Sequence, residues 1–103
     1  MNFSIPQSEF NQIIKKSKSL FIGDLSFKYV LHNSPALGLA VSKHYGGSVE
    51  RNLFKRRCRS LFRNKIVSRE LNIAVIVRPC KQNISFSYIE SAFENLYETV
   101  YHE

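Results

Sequence analysis

The spacing of apolar residues predicts a helix, two or three strands, a second helix, one more strand and a last helix. Phe10, Ile13 and Ile14 recur at helical spacing, which predicts a first helix ending near Lys18. Ser4 precedes this segment at the position of an N-cap residue, so we expect its side chain to begin the helix.

Alternating apolar positions predict the strands. Residues 25–31 carry an apolar side chain at every second position and follow a turn at Gly23-Asp24. Residues 36–42 repeat that alternation until Gly46-Gly47 interrupts it. Residues 72–78 are apolar on both faces, which is typical of a central strand.

Two further helices follow from the same reasoning. The second helix should run from Gly47 or Ser48 to about Ser68, and the third should begin at the capping pattern Ser87-x-x-Glu90. We therefore predict an α+β fold, a two-layer α/β sandwich in which three helices pack on a roughly four-stranded sheet. The apolar faces of the two helices consist of Phe54, Cys58, Leu61 and Phe62, and of Ile89, Phe93, Leu96, Tyr97 and Val100.

Length and composition fit one ordinary domain. The 103 residues are 44% hydrophobic, which excludes the disordered and collagen-like classes and fills a single core. The longest apolar run has five residues, against roughly 20 in a membrane-spanning helix, and Met1–Phe10 lacks a secretory pattern. Two cysteines 22 positions apart are too few for a disulfide scaffold or a zinc finger. We expect one soluble, cytoplasmic domain over residues 1–103, without a membrane or protein partner.

Charge is concentrated in one segment. The chain carries a net charge of +7, and residues 43–65 account for all of it, with eight basic residues against Glu50. The remaining 80 residues hold seven basic and seven acidic side chains. Such a concentration favours a polyanionic partner over general solubility.

The second helix arranges most of this charge on the side opposite its apolar face. Like charges four residues apart repel, so a row without acidic partners is poorly suited to stability alone, although a solvated face is the alternative. The planar guanidinium of arginine matches phosphate oxygens, which favours nucleic-acid binding. Arg51 lies at the N-terminal edge of the row and Lys43 precedes the helix. We call the row the basic ridge; it consists of Asn52, Lys55, Arg56, Arg59 and Arg63.

The pattern Arg51-Asn52-x-x-Lys55-Arg56-x-x-Arg59 resembles the RNR signature of the protein subunit of bacterial ribonuclease P. The preceding segments, Gly38 to Lys43 and Tyr45 to Val49, are similar to the strand end and glycine-containing turn of that family. The strand at residues 73–79 and the last helix also fall where the family has its last strand and last helix.

The resemblance implies a protein that assists a catalytic RNA in removing the 5′ leader of precursor tRNA. The protein alone should be inactive, and magnesium should act through the RNA rather than at a protein metal site. The implied fold contains a left-handed βαβ crossover, and the implied partners are ribonuclease P RNA and precursor tRNA. The implied phosphate contacts are Lys43, Arg51, Asn52, Lys55, Arg56, Arg59 and Arg63, and the implied leader cleft is Phe10, Ile14, Phe27 and Tyr29.

Alternatives remain open at this point. No catalytic triad, paired carboxylates or phosphate-binding glycine loop is visible in the sequence, in keeping with an RNA catalyst. A general RNA-binding protein of the ribosomal type would fit the same charge pattern, whereas a DNA-binding recognition helix would be shorter and less rich in arginine. Phe10, Phe27 and Tyr29 could each belong to the core instead of the cleft.

Overall fold

The computed structural model describes residues 3–103, which fold into three α-helices and four strands. A short 3₁₀ helix at Lys43–Tyr45 precedes the second α-helix, and a π-helical turn at Arg63–Val67 continues it. The elements are α1 (Gln7–Lys16), β1 (Lys18–Ile22), β2 (Leu25–Leu31), β3 (Ala36–Leu39), α2 (Ser48–Phe62), β4 (Ile73–Pro79) and α3 (Phe86–Tyr101).

The strands form one mixed sheet in the order β1-β2-β4-β3. The pairs β1/β2 and β2/β4 are antiparallel, whereas β3 and β4 are parallel neighbours. Because α2 joins the parallel strands β3 and β4, the predicted βαβ crossover is present. The left-handedness of this crossover stays a prediction. The four-stranded α+β fold is confirmed, and β4 is the central strand that its two apolar faces predicted.

Helices cover both faces of the sheet. The α2/α3 face carries the larger core, in which Phe27 and Val75 pack with side chains of α2 and α3. The opposite face, here the α1 face, carries a smaller cluster with Ile13 of α1 against Ala74 and Ile76 of β4. Because β4 is apolar on both faces, each face must be shielded from water by helices, and α1 shields the face opposite α2 and α3.

The first helix begins and ends differently from the prediction. Ser4 does not cap it; instead, Ser4 forms an isolated parallel bridge with Leu37, alongside β3. The N-cap position is held by Pro6, which is extended and makes no side-chain capping bond. α1 ends at Lys16 rather than near Lys18, because the chain turns at once into β1, a strand that the apolar pattern did not locate.

The third helix begins two residues earlier than its capping pattern predicted. Ser85, not Ser87, is the N-cap, and its Oγ accepts the Tyr88 N–H at 3.2 Å. In β2, Leu31 follows the apolar alternation but is 79% exposed, although its partner Ile73 on β4 is fully buried. β3 ends at Leu39 instead of Ser42.

The second helix has the predicted extent but changes pitch near its end. Its apolar residues Phe54, Cys58 and Phe62 are buried, as their helical spacing predicted. The Ser68 N–H then donates to the Arg63 carbonyl at 3.0 Å, five residues back rather than four. Within residues 3–103, every helix is too short or too polar to cross a bilayer.

Candidate nucleic-acid interface

The basic ridge lies on the side of α2 that faces away from the core. Asn52, Arg56, Arg59 and Arg63 are exposed, and Lys55 is half-buried. Within residues 3–103, none of the four ridge cations forms an ion pair, so their charges are free to meet an external anion. The ridge is therefore a row of unpaired cations on a rigid helix.

A cavity of about 200 Å³ opens where this ridge meets α1 and β3. Phe10 lines it from α1, Gly38 lines it from β3, and Lys55 and Arg59 line it from α2. We call it the Phe10 cavity. An aromatic ring and two cations thus share one opening, which suits a nucleotide with its base and its phosphate.

Phe10 itself is partly buried and sits directly over the backbone of Gly38. Ile14, one turn along α1, is 37% exposed but does not line the cavity. The structure therefore brings Phe10 together with two ridge residues and leaves Ile14 at the border of the same helix face.

Phe27 and Tyr29 do not belong to this cleft, and their assignment to it was wrong. Phe27 is fully buried and packs edge-to-face on Phe93, with ring centroids 5.4 Å apart. Tyr29 is 5% exposed, and its hydroxyl donates to Glu103 at 2.5 Å. Both point to the α2/α3 face, so the sheet separates them from Phe10. The alternation of apolar residues predicted that β2 has two different faces, but it did not predict which of them faces the cleft.

The remaining predicted contacts are spread around the ridge. Arg63 places its guanidinium 5.6 Å from the centroid of the Phe3 ring, at the far end of α2. At the near end, the Arg51 Nε donates to the Gly47 carbonyl at 3.4 Å, and Lys43 is exposed in the 3₁₀ helix. These groups extend the positive surface beyond the Phe10 cavity in both directions.

Other basic residues in and just after the charged segment serve the fold. Arg57 lies 5.9 Å from the centroid of Phe86 on α3. Lys65 and Arg69 contact the carboxylate of Glu94 on α3 at 3.5 and 3.0 Å. The hydrogen bond from Arg69, together with the two positive charges, lowers the pKa of Glu94. These cations brace α2 and the π turn against α3 and are not part of the ridge.

A second basic cavity, of about 530 Å³, lies at the carboxyl ends of the parallel strands β3 and β4. His44, Arg78 and Lys81 are among its lining residues, and no acidic side chain of residues 3–103 lines it. Sequence reasoning missed Arg78 and Lys81 because they lie outside the charged segment. The parallel pairing was the signal that could have found them, since ligands bind where such strands end.

Within residues 3–103, no group of three histidine, cysteine or acidic side chains is close enough to hold a metal ion. Burial raises the pKa of the Cys58 thiol to about 12, which keeps it protonated and unreactive. The side chains that line the Phe10 cavity are suited to pairing with phosphates and to stacking on a base.

Comparison with known proteins supports one family. The sequence profile of the ribonuclease P family matches residues 6–101. The ribonuclease P protein component of Finegoldia magna is 29% identical over 89 residues, 82% of this chain and 77% of that protein. A Staphylococcus aureus RNase P protein mutant with defective mRNA degradation activity has a similar fold, with a TM-score of 0.81 at 24% identity over 96% of this chain and 88% of that one. For the RNase P protein from Thermotoga maritima, the TM-score is 0.74 at 24% identity, over 88% and 90% of the two chains.

Proposed function

Because this chain belongs to the ribonuclease P protein family, we propose that its basic ridge and its Phe10 cavity are the RNA-binding surfaces of the holoenzyme. The protein is the protein component of ribonuclease P, the ribonucleoprotein endonuclease that removes the 5′ leader during tRNA processing. Its partner in that enzyme is RNA. The proposal concerns which surface meets which RNA.

The exposed part of the ridge binds phosphates of the catalytic RNA. Arg56, Arg59 and Arg63 are exposed on one rigid helix, and their charges are not offset by carboxylates within residues 3–103. Each phosphate contact releases about one counterion, which makes such a row effective at low salt. Lys43, Arg51 and Asn52 prolong this surface towards the N-terminal end of α2.

The Phe10 cavity binds the 5′ leader of precursor tRNA. The single observation that carries this assignment is that Phe10, Lys55 and Arg59 line one opening between α1, β3 and α2. An unpaired leader base can stack on the ring while its phosphate meets the two cations. Ile14 lies one turn along α1 from Phe10 and is 37% exposed, but it does not line the cavity.

Magnesium acts through the RNA in this proposal. The described residues offer no cluster of carboxylates for the ion, but their cations draw two RNAs together and thereby reduce the repulsion between phosphates. Residues 1–103 act as one RNA-binding domain, and the setting is the cytoplasm, where precursor tRNA is processed in bacteria.

Reconstitution with a bacterial ribonuclease P RNA tests the proposal. At low magnesium, the wild-type protein should restore leader removal, and a Lys55→Ala, Arg59→Ala double variant should restore much less. Arg57→Ala is the matched control, because Arg57 lies on the same helix but contacts Phe86. The slope of log affinity against log salt should fall by roughly one per ridge cation removed, and stay unchanged for Arg57→Ala.

A general RNA-binding protein gives a different result. Such a protein would bind the catalytic RNA, precursor tRNA and unrelated structured RNA with similar affinity, and leader removal at low magnesium would not depend on it. That outcome, or equal losses for the ridge variant and the control, would overturn the proposal.

A further inference from the structure

One carboxylate on α3 pairs with the two cations that follow the basic ridge in sequence. Glu94 meets Arg69 through two contacts, from Nη1 to Oε2 at 3.0 Å and from Nη2 to Oε1 at 3.2 Å. The Lys65 Nζ lies 3.5 Å from the same Oε2 atom. Two parallel contacts between a guanidinium and a carboxylate make a strong ion pair, and the second cation extends it to a network.

Both cationic side chains are partly covered as well as paired. The side chain of Lys65 is 22% exposed and that of Arg69 is 32% exposed. The Arg69 guanidinium also lies 4.4 Å from the centroid of the Tyr97 ring, so its N–H groups face a carboxylate and its plane contacts an aromatic ring. A phosphate that binds Arg69 in the bidentate manner therefore has to displace Glu94.

The cations of the basic ridge are in the opposite situation. Arg56, Arg59 and Arg63 are exposed, and they form no ion pair with any of residues 3–103. Arg63 and Lys65 are only two positions apart in the π turn, yet Arg63 is exposed whereas Lys65 is half-buried and reaches α3. The boundary between free and paired cations therefore falls inside the π turn.

The neighbouring acidic residues of α3 hold no cation of this region. Glu90 lies one turn before Glu94, is exposed, and forms no ion pair within the described part of the chain, residues 3–103. Glu98 lies one turn after Glu94 and pairs with His102 of its own helix at 3.3 Å. Removal of the Glu94 charge would thus free two cations, whereas removal of the Glu90 charge would free none.

We propose that Glu94 determines specificity in RNA binding: by holding Lys65 and Arg69, it ends the phosphate-binding surface at Arg63. This inference rests on the proposed function, in which the basic ridge binds the catalytic RNA. Attraction between free cations and phosphates is independent of sequence, so each additional free cation strengthens binding to every RNA. A protein gains discrimination by pairing the cations that its cognate RNA does not need.

The catalytic RNA and an unrelated RNA should respond differently to the loss of Glu94. The basic ridge faces away from the core, whereas Lys65 and Arg69 reach towards α3, so an RNA docked on the ridge in one orientation gains little from them. An RNA that binds without a fixed orientation can use all the free cations. Loss of the Glu94 charge should therefore raise non-specific affinity and lower the ratio of specific to non-specific affinity.

Salt-dependent binding tests this role of Glu94. Wild-type protein, Glu94→Gln and the control Glu90→Gln are titrated with a bacterial ribonuclease P RNA and with an unrelated structured RNA of equal length. Glu94→Gln should bind the unrelated RNA roughly tenfold more tightly at low salt, with a slope of log affinity against log salt that is steeper by about one to two. Its affinity for the catalytic RNA should stay close to that of wild type. Glu90→Gln changes the net charge equally and should keep the wild-type slope.

An ion pair that serves only the fold gives a different result. In that case Glu94→Gln lowers the melting temperature, and binding of the folded variant to the unrelated RNA is unchanged or weaker, which overturns the inference. Equal slopes for Glu94→Gln and Glu90→Gln overturn it as well. Glu94→Gln combined with Lys65→Gln and Arg69→Gln should return to the wild-type slope, because no cation is left to be freed.

A second variant covers the case in which Glu94→Gln does not fold. The double variant Lys65→Gln, Arg69→Gln should keep the wild-type slope, since paired cations do not contribute to it, and a slope that falls by about two would overturn the inference. The proposed function fails by a different readout, when leader removal at low magnesium does not depend on the wild-type protein. Normal leader removal by the wild-type holoenzyme, together with wild-type discrimination by Glu94→Gln, overturns the specificity role alone.

Discussion

The ring of Phe10 rests on Gly38: a Cβ added to Gly38 would lie 2.8 Å from the Phe10 Cε2 atom. This contact joins α1 to β3 at the wall of the Phe10 cavity. The position of the ring, and with it the shape of the cavity, therefore depends on a strand residue that has no side chain.

Gly38→Ala should displace Phe10. The new methyl group would also lie 3.1 Å from Ile5 Cδ1 and 3.3 Å from Ile76 Cγ1, so it is crowded on three sides. We expect a loss of about 1–3 kcal/mol in the free energy of unfolding, together with weaker binding of precursor tRNA. Urea unfolding and precursor affinity are the measurements. Gly47→Ala is the control, because its Cβ would meet only the end of the Glu50 side chain, at 3.1 Å. Equal stability of Gly38→Ala and wild type would contradict the contact.

Phe10 and Phe27 should separate into a binding residue and a core residue. Phe27→Ala leaves a void under Phe93 and should cost about 3–5 kcal/mol of stability, without changing the precursor-to-mature affinity ratio of the folded protein. Phe10→Ala should lower that ratio by about 5- to 150-fold, because a stacking surface is lost. Melting temperature and both affinities are measured for each variant. A changed ratio for folded Phe27→Ala would mean that the sheet does not separate the two faces.

The sequence predicted the fold more completely than the site, and the reasons are physical. Periodicity located β2, β4 and the buried face of α2, because each of these elements buries a large apolar surface in a regular pattern. It missed β1, a half-covered edge strand whose apolar residues Leu20 and Ile22 alternate over only five positions.

Within the site, charge density located the basic ridge, since the residues are adjacent in sequence. It could not tell which face of β2 was open, so Phe27 and Tyr29 were assigned to the cleft. That Phe10 and Lys55 line one cavity depends on how α1 lies against β3, and no local sequence pattern encodes that arrangement.

Tyr29 should make stability depend on alkaline pH. Burial, reinforced by the hydrogen bond to Glu103, raises the pKa of Tyr29 from 10.0 to about 12. The folded state therefore holds the phenol proton more tightly than the unfolded state, so this stabilisation is complete below pH 10 and is lost as pH rises towards 12. The difference in unfolding free energy between wild type and Tyr29→Phe should shrink across that interval in urea titrations. A difference independent of pH would exclude the titration of Tyr29 as its source.

The two cysteines should report on folding. Cys58 is fully buried with its pKa raised to about 12, whereas Cys80 is exposed. Because the thiolate is the reactive form, iodoacetamide at mildly alkaline pH should modify Cys80 in the native protein and Cys58 only after unfolding. Mass spectrometry counts the adducts, and Cys80→Ser provides the control. Rapid labelling of Cys58 in folded Cys80→Ser would contradict the burial of this side chain.

The π turn at Arg63–Val67 marks a place where the chain can change length by one residue. A turn that spans five residues instead of about four holds one residue more than an α-helix needs. Removing exposed Asn64 would allow Ser68 to bond four residues back, and both Phe62 before the turn and Ile66 within it would keep their orientation towards the core. The same deletion between Phe54 and Phe62 would rotate the ridge by about 100° relative to the core. We therefore expect a single-residue deletion to be tolerated in the turn that follows α2 and not within α2 itself.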